Sequence, residues 1–412
     1  MGLFLGIDFG TSGARAIAID DNETLRTEIS LPFTDTGADR WKEILFALLE
    51  SLPRSLRLEI EAIAIDGTSS TVLLCDASGN SIEEPIFYND TRGNAVLDRI
   101  REIAPADHPV ISSTSSLAKL FWYADRPSFP RAAYFLHQAD WLAFLLHGKP
   151  GISDYHNALK LGYDVENLCY PDFLQNLPFF TLLPQVLAPG TVIGTVTAEI
   201  ALRFGLNADC RVCTGTTDSI AAFLASGARS VGDAVTSLGS TLVIKLLSDT
   251  RVDSAKYGIY SHRLGDLWLT GGASNTGGAV LRQFFSDGDL ARYSLEIDPD
   301  RESTLDYYPL LRPGDRFPIN DPLLAPRLEP RPDDDIEFLH GLLESIARIE
   351  ALGYQRLREL GASPLQRVYT AGGGAKNPAW GKIRERRLGV PVLLSKQTEA
   401  AYGSALLARE SI

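Results

Sequence analysis

Two stretches of the chain share one pattern of apolar and polar positions. In the first, an apolar run over 3–8 is followed by a short turn of glycine and hydroxyl residues and by a second apolar run over 16–19. Residues 233–247 repeat this order around a Gly flanked by Ser and Thr. Apolar runs on either side of such a turn predict β-hairpins. Two hairpins about half a chain apart indicate two domains on one duplicated plan, because a solenoid repeats at a much shorter period.

The rest of the chain alternates between helical and strand patterns. Apolar residues at helical spacing predict helices over 41–52, 116–123, 138–146, 218–227, 335–360 and 400–409, and another that starts near 378. Short apolar runs predict strands at 60–65, 72–75, 85–92, 267–270, 368–371 and 390–394. We expect a Gly-rich turn at 271–278 and loops over 298–332.

The composition is that of a soluble globular protein, with 45% hydrophobic and 22% charged residues. A length of 412 residues favours two or more domains. The net charge of −13 argues against nucleic acid or an anionic membrane as a main partner, since both need basic patches. We expect no membrane span and no signal peptide. Four cysteines and six histidines show neither a disulfide framework nor metal-ligand spacing. We therefore expect reduced thiols in the cytoplasm or a plastid stroma.

The turn of the first hairpin holds candidate phosphate ligands. Gly10 permits positive φ, so successive backbone N–H groups can point at one anion, and Thr11 and Ser12 add hydroxyl donors. Asp8 lies at the mouth of the turn, where a phosphate-bound Mg²⁺ needs an oxygen ligand. An ordinary hairpin with a polar turn explains this stretch equally well. The second hairpin, with Gly239, Ser240 and Thr241 in its turn, favours the phosphate interpretation.

Three charged residues have both a structural and a functional interpretation. Asp218 opens a predicted helix, so it is a helix N-cap, a catalytic carboxylate at the junction of two domains, or both. Asp90 and Arg92 lie near the end of the strand predicted at 85–92, where they could hydrogen-bond a polyol. Without further context, a surface ion pair is the preferred explanation of these two residues.

Backbone without side chains at Gly372, Gly373 and Gly374 would let a flat ring lie against the chain. Taken together, the motifs resemble the FGGY family of carbohydrate kinases over nearly the whole chain. The resembling segments are 8–12 (first phosphate motif), 237–241 (second phosphate motif), 372–374 with Asn377 (adenine side), 215–218 (catalytic Asp), 88–92 (sugar-side Trp-x-Asp-x-Arg, here with Tyr for Trp) and 116–122. Each motif alone is weak, but six in the right order are a strong signal.

The departures from the family pattern narrow the choice of sugar substrate. The chain is shorter than the usual member, and its second phosphate turn reads Leu-Gly-Ser-Thr in place of the usual Gly-Thr-Ser arrangement. Ser69 and Ser70 stand where xylulose kinases carry a Met-His pair, which argues against xylulose as the substrate. The short chain and the serine pair point to the D-ribulose kinase subgroup of cyanobacteria and plants.

The resemblance implies two ribonuclease-H-like (actin-type ATPase) α/β domains with an interdomain cleft. A sugar-binding domain is expected over 1–225 and an ATP-binding domain over 226–398, with a final helix, 399–412, packed on the first. ATP and Mg²⁺ are the implied cofactors. The implied partners are a small sugar and ATP, with no nucleic acid and no membrane, and the sequence carries no prediction of oligomeric state.

The resemblance also implies the chemistry, which is transfer of the γ-phosphoryl group of MgATP to a terminal sugar hydroxyl. Asp218 would accept the hydroxyl proton and Asp8 would hold Mg²⁺. The implied sugar ligands are Ser69, Asp90, Arg92, Arg15 and Asp218, and the implied ATP ligands are Gly10, Thr11, Ser12, Gly239, Ser240, Thr241, Gly372, Gly373, Gly374 and Asn377.

Two other functions share the predicted fold. An actin-fold ATPase of the chaperone or filament type would hydrolyse ATP without stimulation by a sugar, and the sugar-side motifs argue against it. A degenerate sugar-binding regulator would lack the catalytic Asp, whereas Asp218 is present. Within the family, D-xylulose or another polyol is the alternative acceptor.

Overall fold

The structure, a computed structural model, describes residues 2–33, 37–106 and 108–412. The chain divides into two compact units, called here unit 1 (Met1–Ala225 with Glu399–Ile412) and unit 2 (Ser226–Thr398). Each unit is built around one central β-sheet with helices packed on it. None of the described helices is both long and apolar enough to cross a membrane.

The strands divide between the two units. Those of unit 1 are β1 (Leu3–Phe9), β2 (Gly13–Asp20), β3 (Leu25–Pro32), β4 (Ile60–Gly67), β5 (Val72–Cys75), β6 (Tyr134–His137), β7 (Ile152–Asp154), β8 (Gln185–Leu187), β9 (Val192–Thr195), β10 (Arg211–Cys213) and β11 (Thr216–Thr217). Those of unit 2 are β12 (Asp233–Leu238), β13 (Leu242–Ser248), β14 (Tyr260–Leu264), β15 (Leu267–Ser274), β16 (Arg367–Ala371) and β17 (Val392–Leu394).

The helices fill the connections between these strands. In chain order they are α1 (Ala38–Ser51), α2 (Arg54–Arg57), α3 (Leu97–Arg101), α4 (Ser116–Ala124), α5 (Gln138–His147), α6 (Tyr155–Ala158), α7 (Asp172–Gln175), α8 (Ala198–Phe204), α9 (Asp218–Ala225), α10 (Gly278–Phe284), α11 (Asp287–Ser294), α12 (Asp335–Glu359), α13 (Pro378–Leu388) and α14 (Ala400–Glu410).

The central sheet of unit 1 has the strand order β3-β2-β1-β4-β10-β9, with β11 also paired to β4. β1 runs antiparallel to β2 and parallel to β4. This register sets Asp8 opposite both Arg15 on β2 and Asp66 on β4. On its other side, Asp66 pairs with Thr216 of β11. A row of polar residues therefore crosses the sheet where β1 and β4 end.

Alternation along β1 assigns its residues to two cores, because successive side chains point to opposite faces. Leu3, Leu5 and Ile7 pack in one cluster with residues of α1. Phe4 belongs to a second cluster with Ala401 and other residues of α14. Asp8 has the parity of Phe4, so it is on the face that α14 covers.

The central sheet of unit 2 has the order β14-β15-β13-β12-β16-β17. Its middle strand, β12, is antiparallel to β13 and parallel to β16, as β1 is to β2 and β4. The long helix α12 begins at an Asp334 N-cap and supplies much of the core, including Leu342 and Ile346. Unit 2 therefore repeats the pairing plan of unit 1.

The predicted two-domain α/β fold and both predicted hairpins are confirmed. Two local predictions are wrong. Instead of a strand at 85–92, a single bridge joins Ile86 to Val72, and the chain then turns, with Asp90 N donating to Phe87 O at 3.0 Å. Residues 271–274 are not a turn, because Gly271 and Gly272 continue β15 in register with β13.

Candidate active site

Three carboxyl groups of unit 1 interact where β1 and β4 end and α9 begins. Burial raises the pKa of Asp66 well above its usual range, and the charge of Asp8 raises it further. The pKa of Asp8 is also raised, mainly by burial and in part by the charge of Asp218, although a hydrogen bond with Asp66 opposes the shift. Asp66 is therefore the protonated member of the pair, and its carboxyl group donates a hydrogen bond to the Asp8 carboxylate.

The partners of Asp66 come from the last helix of unit 1. Ser404 on α14 donates a hydrogen bond to Asp66 Oδ2 at 2.6 Å, and both residues are fully buried. Oδ1 of Asp66 and Oδ1 of Asp8 are buried and receive no hydrogen bond from any N–H or hydroxyl group of the described residues. The hydrogen bond between the two carboxyls offsets part of the cost of burying these oxygens, and a cation bound to Asp8 would offset more.

These carboxyl oxygens suit Mg²⁺, which prefers carboxylate ligands and usually keeps several of its waters. Among the described residues, no group of three or more His, Cys, Asp or Glu side chains forms a closed metal site. One or two carboxylates suffice for a Mg²⁺ ion that also binds phosphates. Asp8, with its orphaned Oδ1, is therefore the residue that could hold the ion.

Asp218 is placed by the strand and helix on either side of it. It begins α9, is half-buried, and accepts a hydrogen bond from Ser219 N at 2.6 Å. The preceding strand is fixed by a 2.7 Å hydrogen bond between Thr216 Oγ1 and His156 Nδ1. A helix N-terminus stabilises negative charge, so the structural and functional interpretations of Asp218 are compatible.

The first hairpin turn is exposed at its tip. Gly10 N donates to Gly13 O at 3.1 Å, which closes the turn, and the side chains of Thr11 and Ser12 face solvent. Arg15 lies opposite Asp8 on β2 and lowers the Asp8 pKa in opposition to burial. Its guanidinium forms an ion pair with Glu399 at the start of the last segment of unit 1.

The predicted sugar-side residues lie on two neighbouring loops of unit 1. Ser69 is half-buried in the turn that follows β4. Arg92 donates to Asp90 Oδ2 through Nε at 2.9 Å and through Nη2 at 2.7 Å. These bonds lower the pKa of Asp90. The Arg92 guanidinium also stacks on the Trp122 ring, 4.6 Å from its centroid. Asp90 and Arg92 thus form a braced ion pair at a half-exposed position.

In unit 2, the start of α10 braces the second hairpin turn. Gly278 N donates to Gly239 O at 2.9 Å, and Ala279 N donates to Ser240 O at 3.1 Å. A Cβ atom on Gly277 would lie only 2.8 Å from Thr241 Cα. The carbonyl groups of the turn are thereby used within the unit, and the turn is held rigidly.

The three glycines after β16 have different surroundings. Gly372 adopts a φ of +81°, and a Cβ there would lie 2.7 Å from Leu238 O, so the turn requires glycine. A Cβ on Gly374 would collide with Leu238 and Trp380. Gly373 alone faces open space, where the nearest atom to its ideal Cβ is Arg282 Nη2 at 3.8 Å.

Asn377 has a local role that the sequence interpretation did not include. Its Oδ1 accepts from Trp380 N at 3.0 Å, which caps α13, and its Nδ2 donates to Ser294 Oγ at 2.7 Å. The side-chain oxygen and nitrogen are both used inside unit 2. Asn377 therefore fixes the segment that carries the three glycines.

Three residues at these sites were missed from sequence: Asp66, Lys119 and Arg282. Asp66 had a detectable signal, since it ends a strand as Asp8 does, but only the register of β1 and β4 makes them neighbours. Lys119 lies on an apolar helix and bonds to residues 32 and 49 positions away. Arg282 is paired with Asp287 and lies beside Gly373, which no local pattern indicates.

The chain is similar to known carbohydrate kinases. Residues 3–225 match the N-terminal domain model of the FGGY family of carbohydrate kinases, and 234–410 match its C-terminal domain model. A xylulose kinase of Bacillus subtilis (strain 168) is 24% identical over 98% of this chain and 87% of its own length. A gluconokinase of the same organism is 23% identical over 91% of this chain and 81% of its own length.

A solved structure shows the same fold. The crystal structure of the xylulose kinase from Rhodospirillum rubrum superimposes with a TM-score of 0.84 at 22% identity, over 98% of this chain and 89% of that one. The two family models together account for nearly the whole chain. The protein therefore belongs to the FGGY family of carbohydrate kinases and is a phosphotransferase enzyme.

Proposed function

We propose that this kinase transfers the γ-phosphoryl group of MgATP to the terminal hydroxyl of a pentulose, with D-ribulose preferred. The observation that carries the reaction is the set of interacting carboxyls Asp8, Asp66 and Asp218 beside a phosphate-type turn in unit 1. The preference for D-ribulose is based on the small side chains of Ser69 and Ser70, which stand where xylulose kinases carry Met and His.

Asp218 is proposed as the general base. It is ionisable, half-buried, and held at the first turn of α9, so it can accept the proton of the attacking sugar hydroxyl. Phosphoryl transfer needs positioning and charge stabilisation more than covalent chemistry. Ser69, Asp90 and Arg92 are proposed to orient the sugar, and Arg15 to assist them.

Asp8 is proposed to hold Mg²⁺ through its orphaned Oδ1, directly or through water. When bound, the ion neutralises charge on the phosphate oxygens. The proton on Asp66 lets it donate to Asp8, which keeps the Asp8 carboxylate available and oriented. Thr11 and Ser12 are proposed to donate to phosphate oxygens from the exposed turn.

Unit 2 is proposed to bind the nucleotide. Its turn at Gly239, Ser240 and Thr241 supplies amide and hydroxyl donors to the phosphates, and Gly372 and Gly374 shape the backbone beside the base. Gly373 fits the closest approach of the adenosine, because it alone of the three glycines faces open space. Asn377 supports this segment through its two hydrogen bonds.

The decisive experiment is a coupled assay of ADP release over pentuloses, pentoses, hexoses, gluconate and polyols. We expect the highest kcat/KM with D-ribulose. A preference for D-xylulose or gluconate, which the names of the relatives bring into the panel, would reject D-ribulose and keep the family reaction. ATP hydrolysis that no sugar stimulates would instead favour the actin-fold ATPase alternative.

A further inference from the structure

Lys119 on α4 is a buried amino group that has no carboxylate partner among the described residues. Its side chain is fully buried, and Nζ donates to Ser70 O and to Phe87 O, each at 2.7 Å. Burial lowers the pKa of Lys119 to about 7; the charges of Lys160 and Arg92 act in the same direction, and Asp90 opposes them. Burying an amino group without a carboxylate partner costs free energy, so we expect the two hydrogen bonds of Lys119 to contribute to function.

The two carbonyl groups that Lys119 binds belong to the two loops of the proposed sugar site. Ser70 lies in the turn after β4, next to Ser69, and Phe87 precedes Asp90 by three residues. A second tie, from Tyr88 N to Thr71 Oγ1 at 3.0 Å, joins the same loops. The backbones of Val72 and Ile86 also exchange two hydrogen bonds, of 3.0 and 2.8 Å. Of these ties, the bond from Lys119 is the one that holds the Ser70 carbonyl group itself.

Ser70, whose carbonyl group binds Lys119, has an unusual backbone conformation and a buried hydroxyl. Its φ is +66°, a left-handed conformation that residues other than glycine rarely adopt. Its side chain is buried, and Oγ has no hydrogen-bond partner among the described residues. The positive φ fits the third position of a tight turn, which Thr71 N closes by donating to Thr68 O at 3.1 Å. That turn leaves the buried hydroxyl of Ser70 unused, and such a hydroxyl is typical of a binding position.

We propose that Lys119 is a positioning residue for sugar binding, which holds the Ser70 backbone so that the Ser70 hydroxyl contacts the acceptor sugar. This inference rests on the proposed function, since it names a specificity-determining group of the same site. Ser70 supplies the contact, and Lys119 acts through it without touching the sugar.

The test compares Lys119→Met and Ser70→Ala with the wild-type enzyme, using the sugar that the ADP-release screen selects. Met keeps the length of the side chain and removes its donors. We expect each variant to raise the KM for the sugar about tenfold, while the KM for ATP stays within about twofold; a tenfold change corresponds to ~1.4 kcal/mol. Ser70→Ala should not lower the melting temperature without sugar, because the hydroxyl it removes has no partner.

Lys149→Met is the matched control. Lys149 Nζ also donates to a backbone carbonyl of unit 1, that of Ile193 at 2.9 Å, but at an exposed position outside the proposed site. Its KM values should equal those of the wild type. Equal rises in both KM values for Lys119→Met would show that the lysine only stabilises the fold.

If Lys119→Met fails to fold, Ser70→Ala decides, and an unchanged KM for the sugar overturns the inference. Failure of the proposed function looks different, because the wild-type enzyme would then show no sugar-dependent ADP release at all. In that case the inference fails together with the function. An active wild type whose variants match it removes the inference alone.

Discussion

Unit 1 and unit 2 present the same hairpin beside a parallel strand, but only unit 1 places carboxyl groups there. Asp8 is the penultimate residue of β1, and its neighbour on the parallel strand is Asp66. The penultimate residue of β12 is Ser237, and its neighbour on the parallel strand is Ala371. The duplicated backbone therefore carries acid chemistry in one half and neutral donors in the other.

Four buried acids, two in each unit, also differ in their partners. Asp66 and Asp154 of unit 1 are buried near other carboxyls, and their pKa values are raised. In unit 2, Glu350 binds Arg384 through two hydrogen bonds, of 2.6 and 2.7 Å. Burial opposes ionisation of Glu344, but hydrogen bonds from Arg386 and Arg387 outweigh it and lower the pKa of Glu344 to about 2. These two acids of unit 2 are paired with arginines, whereas Asp66 and Asp154 of unit 1 lie beside other carboxyl groups and are costly to ionise.

The largest effect is expected from Asp218→Asn, which removes the proposed base and preserves the size of the side chain. Asn can still accept from Ser219 N, so the fold should survive, but it takes no proton at neutral pH. We expect sugar phosphorylation to fall by about 10²–10⁴-fold, the usual range for loss of a general base. ATP affinity, measured separately by titration calorimetry, should stay near the wild-type value. A variant with most of its activity intact would refute this role.

Asp8→Asn tests the difference between the two hairpins directly. Asn is a weaker metal ligand than a carboxylate, so kcat should fall by about tenfold or more, and a higher Mg²⁺ concentration should restore part of it. The equivalent change in unit 2, Ser237→Ala, should cost less and should leave the Mg²⁺ dependence unchanged. The measurement is a Mg²⁺ titration of kcat for both variants. Restoration of Ser237→Ala by Mg²⁺, or none for Asp8→Asn, would contradict the comparison.

Local pattern was enough to find the hairpins, because apolar runs and a glycine-hydroxyl turn are contiguous in sequence. It also placed Asp8 at a strand end and Asp218 at a helix start. The pairing of Asp66 with Asp8 and the contacts of Lys119 could not be found in this way, since they depend on strand register and on contacts between distant segments. The strand predicted at 85–92 failed because its polar second half turns instead of pairing.

Gly373→Val tests the proposed nucleotide side of unit 2. The space beside Gly373 is open, so valine should be accommodated in the protein but should occupy the room proposed for adenosine. We expect the KM for ATP to rise about tenfold, or ~1.4 kcal/mol, with little change in the KM for the sugar. Gly381→Val on α13 is the control, because a Cβ there meets nothing within 4 Å and lies outside the proposed site. An unchanged KM for ATP in folded Gly373→Val would mean that the base lies elsewhere.

Stability should also differ in its pH dependence between the two units, with no expected effect on the reaction itself. Burial and the charge of Asp140 raise the pKa of Asp154 to about 7 in the folded protein, from about 3.8 for an ordinary carboxyl. The folded state therefore binds the extra proton, and this stabilisation is present below pH 3.8 and is lost as the pH rises through 7. Between pH 5.5 and 8.5 the wild type should lose ~2 kcal/mol relative to Asp154→Asn, at 1.36 kcal/mol per pKa unit. The difference between the melting temperatures of the wild type and the variant should therefore change by a few degrees across this range.

A difference in melting temperature that is the same at every pH carries no information, because the new amide faces Asn157 Nδ2. Glu344→Gln in unit 2 is the control: the stabilisation from its lowered pKa is lost only as the pH falls towards 2, so its offset from the wild type should not vary across this range. If the difference in melting temperature between the wild type and Asp154→Asn is also independent of pH, Asp154 is ionised in the folded protein, as Glu344 is in unit 2.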